Sequence, residues 1–425
     1  MADLTTLGRA ELEETLRALR ERYQEYASKG LALDMTRGKP SSAQLDLSLA
    51  LLELPGRSDY RTVDGVDCRN YGVMEGIPEA RALFGQYLEL APEQVIVGGN
   101  SSLTLMHDAI VRALLHGVPD GDGAWSKQPA TRFLCPSPGY DRHFAICEEF
   151  GIGMIAVDMN EHGPDMDQVE RLAAGDPSIK GIWCVPRYSN PTGVTYSRDT
   201  VERLAGMRTA ASDFRILWDN AYAVHHLTDD PEPLAHILRA CEAAGHPNRA
   251  LLFASTSKIT LAGAGLAAMG ASPENIEDAK RHLAKQIIGP DKVNQLRHVR
   301  MFRSLDDIRA HMRRHASLVR PKFDAVLEVF ERELGGKNVA AWSRPKGGYF
   351  VSLDSMDGCA KEVVGLAADA GVKLTQAGAT FPYGRDPRNR NIRIAPTFPD
   401  LEDIEIAMQV VAVCVQIAGV RKLLG

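Results

Sequence analysis

The chain has 425 residues, of which 44% are hydrophobic and 24% charged, enough for two or three folding units and far from disordered or disulfide-scaffold compositions. A formal charge of −6 and a sequence pI near 6.1 exclude a general affinity for phosphate backbones, so no nucleic-acid partner is expected. Seven scattered cysteines without a Cys-x-x-Cys pair exclude a zinc knuckle or redox motif and read as thiols in a reducing compartment; no metal site is expected.

The amino terminus has no basic-then-apolar leader, and no apolar run is expected to be long enough to cross a bilayer; the expectation is a cytoplasmic protein without membrane contact. From Leu4 to Ser28, Leu12, Leu16, Leu19 and Tyr23 recur at three- and four-residue steps, and Gly30 follows as a stop, which predicts an amphipathic helix. Seven short apolar runs then predict buried strands at Gln94–Gly98, Arg132–Pro136, Met154–Asp158, Gly181–Pro186, Arg215–Asp219, Ala250–Ser255 and Gly265–Gly270. Stretches long enough for helices lie between most of them, such as Ser102–His116, Tyr140–Phe150 and Arg198–Ala211, the signature of a mostly parallel sheet covered on both faces.

A long helix over Asp307–Leu334 follows, then a strand at Tyr349–Leu353, a helix near Lys361–Ala370, a strand at Asn391–Ala395 and a final helix from Leu401. The first helix has no sheet of its own, so it is expected to pack on this C-terminal part. The fold class is therefore α/β: a large unit over 46–305 with a mostly parallel seven-stranded sheet between helices, and a smaller α+β unit built from 1–45 and 306–425.

In open parallel sheets functional groups gather after the carboxyl ends of strands. Here those positions carry Gly98-Gly99-Asn100-Ser101-Ser102, Pro138-Gly139-Tyr140, Ser189-Asn190-Pro191-Thr192-Gly193, Asp219-Asn220-Ala221-Tyr222 and Ser255-Thr256-Ser257-Lys258. In this order they resemble the fold-type I enzymes that use pyridoxal 5'-phosphate (PLP), in particular the aspartate aminotransferase superfamily, over roughly Asp34 to Pro399. The strings Thr36-Arg-Gly-Lys-Pro40, Cys135-Pro-Ser-Pro-Gly-Tyr-Asp-Arg-His-Phe144 and Ser255-Thr-Ser-Lys-Ile-Thr-Leu-Ala-Gly-Ala-Gly265 look most like a divergent bacterial aspartate aminotransferase branch, related to the aminotransferase domain of MocR-type regulators.

The resemblance implies that Lys258 forms the imine with the cofactor and moves the substrate's proton, for which its pKa must fall from about 10.4. It implies that Asp219 pairs with the protonated pyridine nitrogen, because a carboxylate ending an apolar strand needs a cationic partner. Asn190 and Tyr222 match the two donors to the phenolate oxygen, and Tyr140 the aromatic ring on the cofactor's outer face. Asn100, Ser101 and Ser102 with Ser255 and Ser257 are the expected phosphate cradle at a helix N-terminus, where Ser101 or Ser102 can equally serve as helix cap. Tyr71 resembles the tyrosine that reaches the neighbouring subunit's cofactor, implying a homodimer with shared active sites.

For the substrate, Arg393 matches the arginine that clamps the α-carboxylate, with Arg385, Arg388 and Arg390 as competing surface charges, and Asn190 and Gly38 line the same pocket. Pro345–Phe350 is read as a structural segment near it. The chain departs from many relatives in lacking an arginine shortly after the lysine, so other groups must meet the phosphate charge. The implied activity is transamination between an amino acid and a 2-oxo acid, aspartate and 2-oxoglutarate foremost. The alternatives are β-elimination or decarboxylation on the same cofactor, or a non-enzymatic PLP sensor. A dicarboxylate needs a second cation, for which Arg37, Lys39, Lys127, Arg142 and Arg297 are unranked candidates.

Overall fold

The computed structural model describes residues 3–425. Its strands, in chain order, are Leu33–Asp34 (β1), Val95–Val97 (β2), Arg132–Ser137 (β3), Gly153–Asn160 (β4), Gly163–Pro164 (β5), Ile179–Cys184 (β6), Arg215–Asp219 (β7), Ala250–Ser255 (β8), Ala267–Ala271 (β9), Ala340–Trp342 (β10), Val351–Ser355 (β11), Val372–Lys373 (β12) and Asn391–Ile394 (β13). The large sheet runs β2-β9-β8-β7-β6-β3-β4-β5. Neighbours from β8 to β4 are parallel, and β9 is antiparallel to both β8 and β2. All seven expected runs form strands. The eighth, β5, has two residues and includes a proline, too short to leave a periodic trace.

Every residue of β6, β7 and β8 is buried, because helices cover both faces and an apolar run in a parallel sheet has no wet side. The chain moves outward from β6 through β7 to β8 on one side and from β3 to β4 on the other, so the strand order reverses between β3 and β6. The crevice at that reversal is where ligands settle in open sheets. The helix expected over Arg198–Ala211 ends at Gly206, a residue that gains little from continuing a helix.

The remaining strands form two small sheets, β10-β11-β13 antiparallel and β1-β12 parallel. Leu12, Leu16, Leu19 and Tyr23 of helix Arg9–Ala27 share an apolar cluster with β11, β13 and helices Ala360–Asp369 and Leu401–Leu424. The final helix corrects one expectation: by length and composition it could cross a membrane, yet 78% of its apolar stretch is buried inside the protein. It is apolar all round because it is packed all round.

Helix Leu305–Leu334, capped by Ser304 and Asp307, joins the two parts. Its Ile308 and Met312 belong to the apolar cluster under the large sheet, whereas Val319, Phe323, Val326 and Phe330 belong to the other. Pro321 lies within the helix close to that changeover.

Candidate active site

Because β6, β7 and β8 are parallel and in register, their carboxyl ends bring Asn190, Asp219 and Lys258 to one edge. Asp219 is 2% exposed and pairs across the sheet with Phe253, whose carbonyl accepts from Asn220 N. Its Oδ2 lies 3.1 Å from His143 Nε2, and its Oδ1, equally buried, has no partner among the described residues. With the carboxylate ionised, His143 is the donor. The imidazole stacks on Trp183 at 4.4 Å and 11° and meets the edge of Tyr140 at 4.9 Å.

Lys258 Nζ lies 5.1 Å from the centre of the Tyr222 ring and 6.0 Å from that of Tyr349. Burial pulls its ammonium below its ordinary value, and the Asp219 charge partly offsets the shift. The Lys258 carbonyl accepts from His225 Nε2 at 3.3 Å, and burial keeps that imidazole neutral by driving its pKa well down. Tyr349 Oη also reaches this carbonyl, at 3.4 Å, and accepts from Gln44 Nε2. The Tyr222 hydroxyl is pushed up by burial first, then by the neighbouring Tyr140 and Asp219.

The phosphate-cradle candidates converge where β2 and β8 end. Ser257 Oγ donates to Asn100 O at 3.3 Å, and the Gly99 carbonyl accepts from Ala267 N. Ser101 is the cap of helix Ser102–His116, accepting from Leu103 N at 3.2 Å. The hydroxyls of Ser102 and Ser255 form no hydrogen bond among the described residues, whereas Thr256 is committed to Thr260, His298 and Leu266. In the stretch after Lys258, which has glycine and alanine and no arginine, Leu266 sits 2% exposed in the core.

Arg393 projects from β13, 8% exposed, with its guanidinium over the Phe350 ring at 5.1 Å. Its Nη1 donates to Asp141 Oδ1 at 2.8 Å and lies 3.4 Å from Asn190 Oδ1. That contact turns the Asn190 amide so that its Nδ2 hydrogens remain free. Gly38 packs against Phe350; a Cβ there would stand 2.2 Å from the ring. Arg390, one of its competitors, pairs with Asp354.

Tyr71 is not part of this cluster. It is 77% exposed on a loop whose neighbouring carbonyls, Asn70 O and Gly72 O, both accept from the buried Lys292 Nζ. Leu49, Leu52, Val63 and Ile288 are exposed in the segments that flank it. Of the candidates for a distal carboxylate, Lys127 lies beside Trp125, which bonds Asp213 at the amino end of β7, the wrong end of the sheet. Arg297 Nε is held by Leu54 O, Arg37 is 3.9 Å from Asp34, and Lys39 sits over Phe398; Arg142, next to Tyr140, forms no ion pair among the described residues.

Sequence reasoning missed Asp141, His143, Tyr349, Phe350 and Lys292. Pro345–Phe350, read as structural, supplies two aromatic walls of the site. The signal for His143 was its place three residues after Tyr140, on the first turn of a helix leaving a strand end.

The model of the family described as aspartate amino-transferase matches residues 7–425. An aspartate aminotransferase of Corynebacterium glutamicum is 49% identical over 401 residues, covering 94% of this chain and 93% of its own. A Mycolicibacterium smegmatis protein provisionally assigned as an aminotransferase is 54% identical over 422 residues, covering 99% of both chains. The crystal structure of an aspartate transaminase from C. glutamicum superposes with a TM-score of 0.97 at 47% identity, covering 99% of each chain. Sheet order, strand-end residues and near-complete similarity converge: this chain belongs to the aspartate amino-transferase family and is an aminotransferase.

Proposed function

We propose that the enzyme works with PLP, takes aspartate as donor and 2-oxoglutarate as acceptor, and acts as a homodimer in the cytoplasm. The observation that carries the cofactor assignment is Asp219 Oδ1, a buried carboxylate oxygen without a partner. Leaving such an atom unpaired costs about 1–3 kcal/mol or more, a cost that a protonated ring nitrogen removes. The free Ser102 and Ser255 hydroxyls and the helix N-terminus beside them fit a phosphate, and the lowered pKa of Lys258 fits an imine-forming amine.

When bound, PLP supplies the electron sink that acidifies the substrate's Cα hydrogen. Lys258 Nζ would tether the cofactor and, once displaced by the substrate's amine, would as a neutral amine take the proton from Cα and deliver it to the cofactor carbon that bears the nitrogen. Asp219 keeps the ring nitrogen protonated, and the hydrogen bond from His143 holds its carboxylate in place. Asn190 Nδ2 and the Tyr222 hydroxyl donate to the phenolic oxygen, and Tyr140 covers the outer face against water. Backbone N–H groups from Gly99 to Ser102, with Ser255 and Ser257, hold the phosphate. Arg393 binds the α-carboxylate, with Gly38 lining the pocket.

Tyr71, exposed and firmly held, would reach the phosphate of a second copy, and the apolar Leu49, Leu52, Val63 and Ile288 would be covered there. Residues 46–305 would then be the large domain, with 1–45 and 306–425 as the small one. Seven buried free thiols suit a reducing compartment. The test is a half-reaction of the yellow holoenzyme with a panel of amino acids, followed by absorbance. Conversion of bound cofactor to its amine form by aspartate and glutamate is expected; ammonia release, or no conversion by either, overturns the proposal.

A further inference from the structure

The clamp arginine is paired within the protein itself, by a residue that the transamination scheme does not use. Asp141 opens helix Asp141–Glu149, and its Oδ1 is 2.8 Å from Arg393 Nη1. Asn190 Oδ1 lies on the same nitrogen at 3.4 Å, so both Nη1 hydrogens are taken. Nε is buried without a partner, and Nη2 makes no hydrogen bond among the described residues. A guanidinium offers two edges for a bidentate carboxylate, and only the Nε–Nη2 edge is left.

We propose that Asp141 is a positioning residue for substrate recognition: it anchors Arg393 through Nη1, so that the α-carboxylate is taken side-on by Nε and Nη2. The proposal rests on the reading of Arg393 as the α-carboxylate clamp. Three contacts fix the guanidinium plane, namely Asp141, Asn190 and the Phe350 ring, which packs directly on Gly38. Asp141 also solves an electrostatic problem. An 8%-exposed cation without a counterion is costly, and such a site would draw in any small anion. The Asp141–Arg393 pair is neutral as a unit and still keeps two hydrogen-bond donors for a carboxylate. The acid itself is 35% exposed and sits on the first helical turn, where the helix dipole favours a negative charge.

The test uses holoenzyme carrying Asp141→Ala, Asp141→Asn or Arg393→Ala. The measurements are kcat and KM with aspartate and with alanine, and calorimetric affinity for succinate, which binds but does not react. Asp141→Ala is expected to raise KM for both donors and weaken succinate by about tenfold to a hundredfold, the range for a charged hydrogen bond, with kcat changed far less. Sensitivity to chloride should rise in the same variant. Asp141→Asn, which keeps an acceptor oxygen, should show a several-fold, intermediate loss, and it decides alone should the alanine variant fail to fold. Unchanged succinate affinity in either variant, or a lowered KM in Asp141→Ala, overturns the proposal, the latter because it makes Asp141 a competitor of the substrate. Arg393→Ala separates the two ideas: a silent Arg393→Ala removes the clamp, whereas a damaged Arg393→Ala beside a silent Asp141→Ala removes only the role of Asp141.

Discussion

The floor and the mouth of the site are built differently. The floor, with Asp219, His143, Trp183, Tyr222 and Lys258, comes from consecutive strand ends of one sheet and the helix that follows one of them. Asp219, His143 and Trp183 are buried there and linked by a hydrogen bond and a ring stack. The mouth draws Gly38, Asp141, Asn190, Phe350 and Arg393 from positions up to 355 residues apart, taken as 393 minus 38, and from both the large sheet and the β10-β11-β13 sheet. The contrast suggests a division of labour. On the proposed reading, the sheet edge would carry the reaction and the seam between two packing units recognition, so that small changes there would alter the substrate without disturbing the chemistry.

Substitutions at the floor should therefore strike kcat, and those at the mouth KM. Lys258→Ala should have the largest effect, a loss of at least about ten-thousandfold in single-turnover rate even if cofactor still binds, since both proton transfer and tether are lost. Asp219→Asn comes next. Two opposite charges about 4 Å apart at an effective dielectric near 20 interact by about 4 kcal/mol, on the order of a thousandfold in kcat if felt in the transition state. A KM effect as large as the kcat effect in either variant would break the comparison.

The floor's supports predict a pH dependence of stability. His298, buried behind Thr256 and Thr260, and His315, beside Gln44, are both lowered by burial from 6.5 to about 4. The unfolded chain takes up these protons first, so stability is full above about pH 6.5 and falls as pH drops toward 4, by at most about 3 kcal/mol for each histidine. Denaturant midpoints measured from pH 7 to 4.5 should show this slope, and His298→Gln should flatten it. The smallest effect is expected at Lys292→Met. Loosening the Tyr71 loop should speed cofactor loss by about twofold to tenfold, and adding Tyr71→Phe should contribute little more. Independent, additive effects would sever Lys292 from Tyr71.

The floor was legible in the sequence because its residues follow apolar runs directly: Lys258 comes three residues after the last residue of β8, and Asp219 is the last residue of β7. Local order in the chain becomes local order along a sheet edge. The mouth was legible only where a motif marked it, as at Arg393. Asp141 looked like an ordinary helix-opening acid, and nothing near residue 141 announces a partner 252 positions away. Lys292 was hidden for the same reason: it reads as a solvated lysine, yet it is 2% exposed beneath a loop more than two hundred residues upstream. Helix Leu401–Leu424 was underestimated instead: its apolar stretch is long enough to cross a bilayer, yet it is buried in protein.

One rod of helix, Leu305–Leu334, is rooted in two interiors at once. Neither interior can melt without stripping half of that rod of its apolar cover, so the molecule should come apart in a single heat-absorption peak. Anything that grips the sheet edge would then raise the melting temperature of the remote helix Arg9–Ala27 as well, although it never touches it.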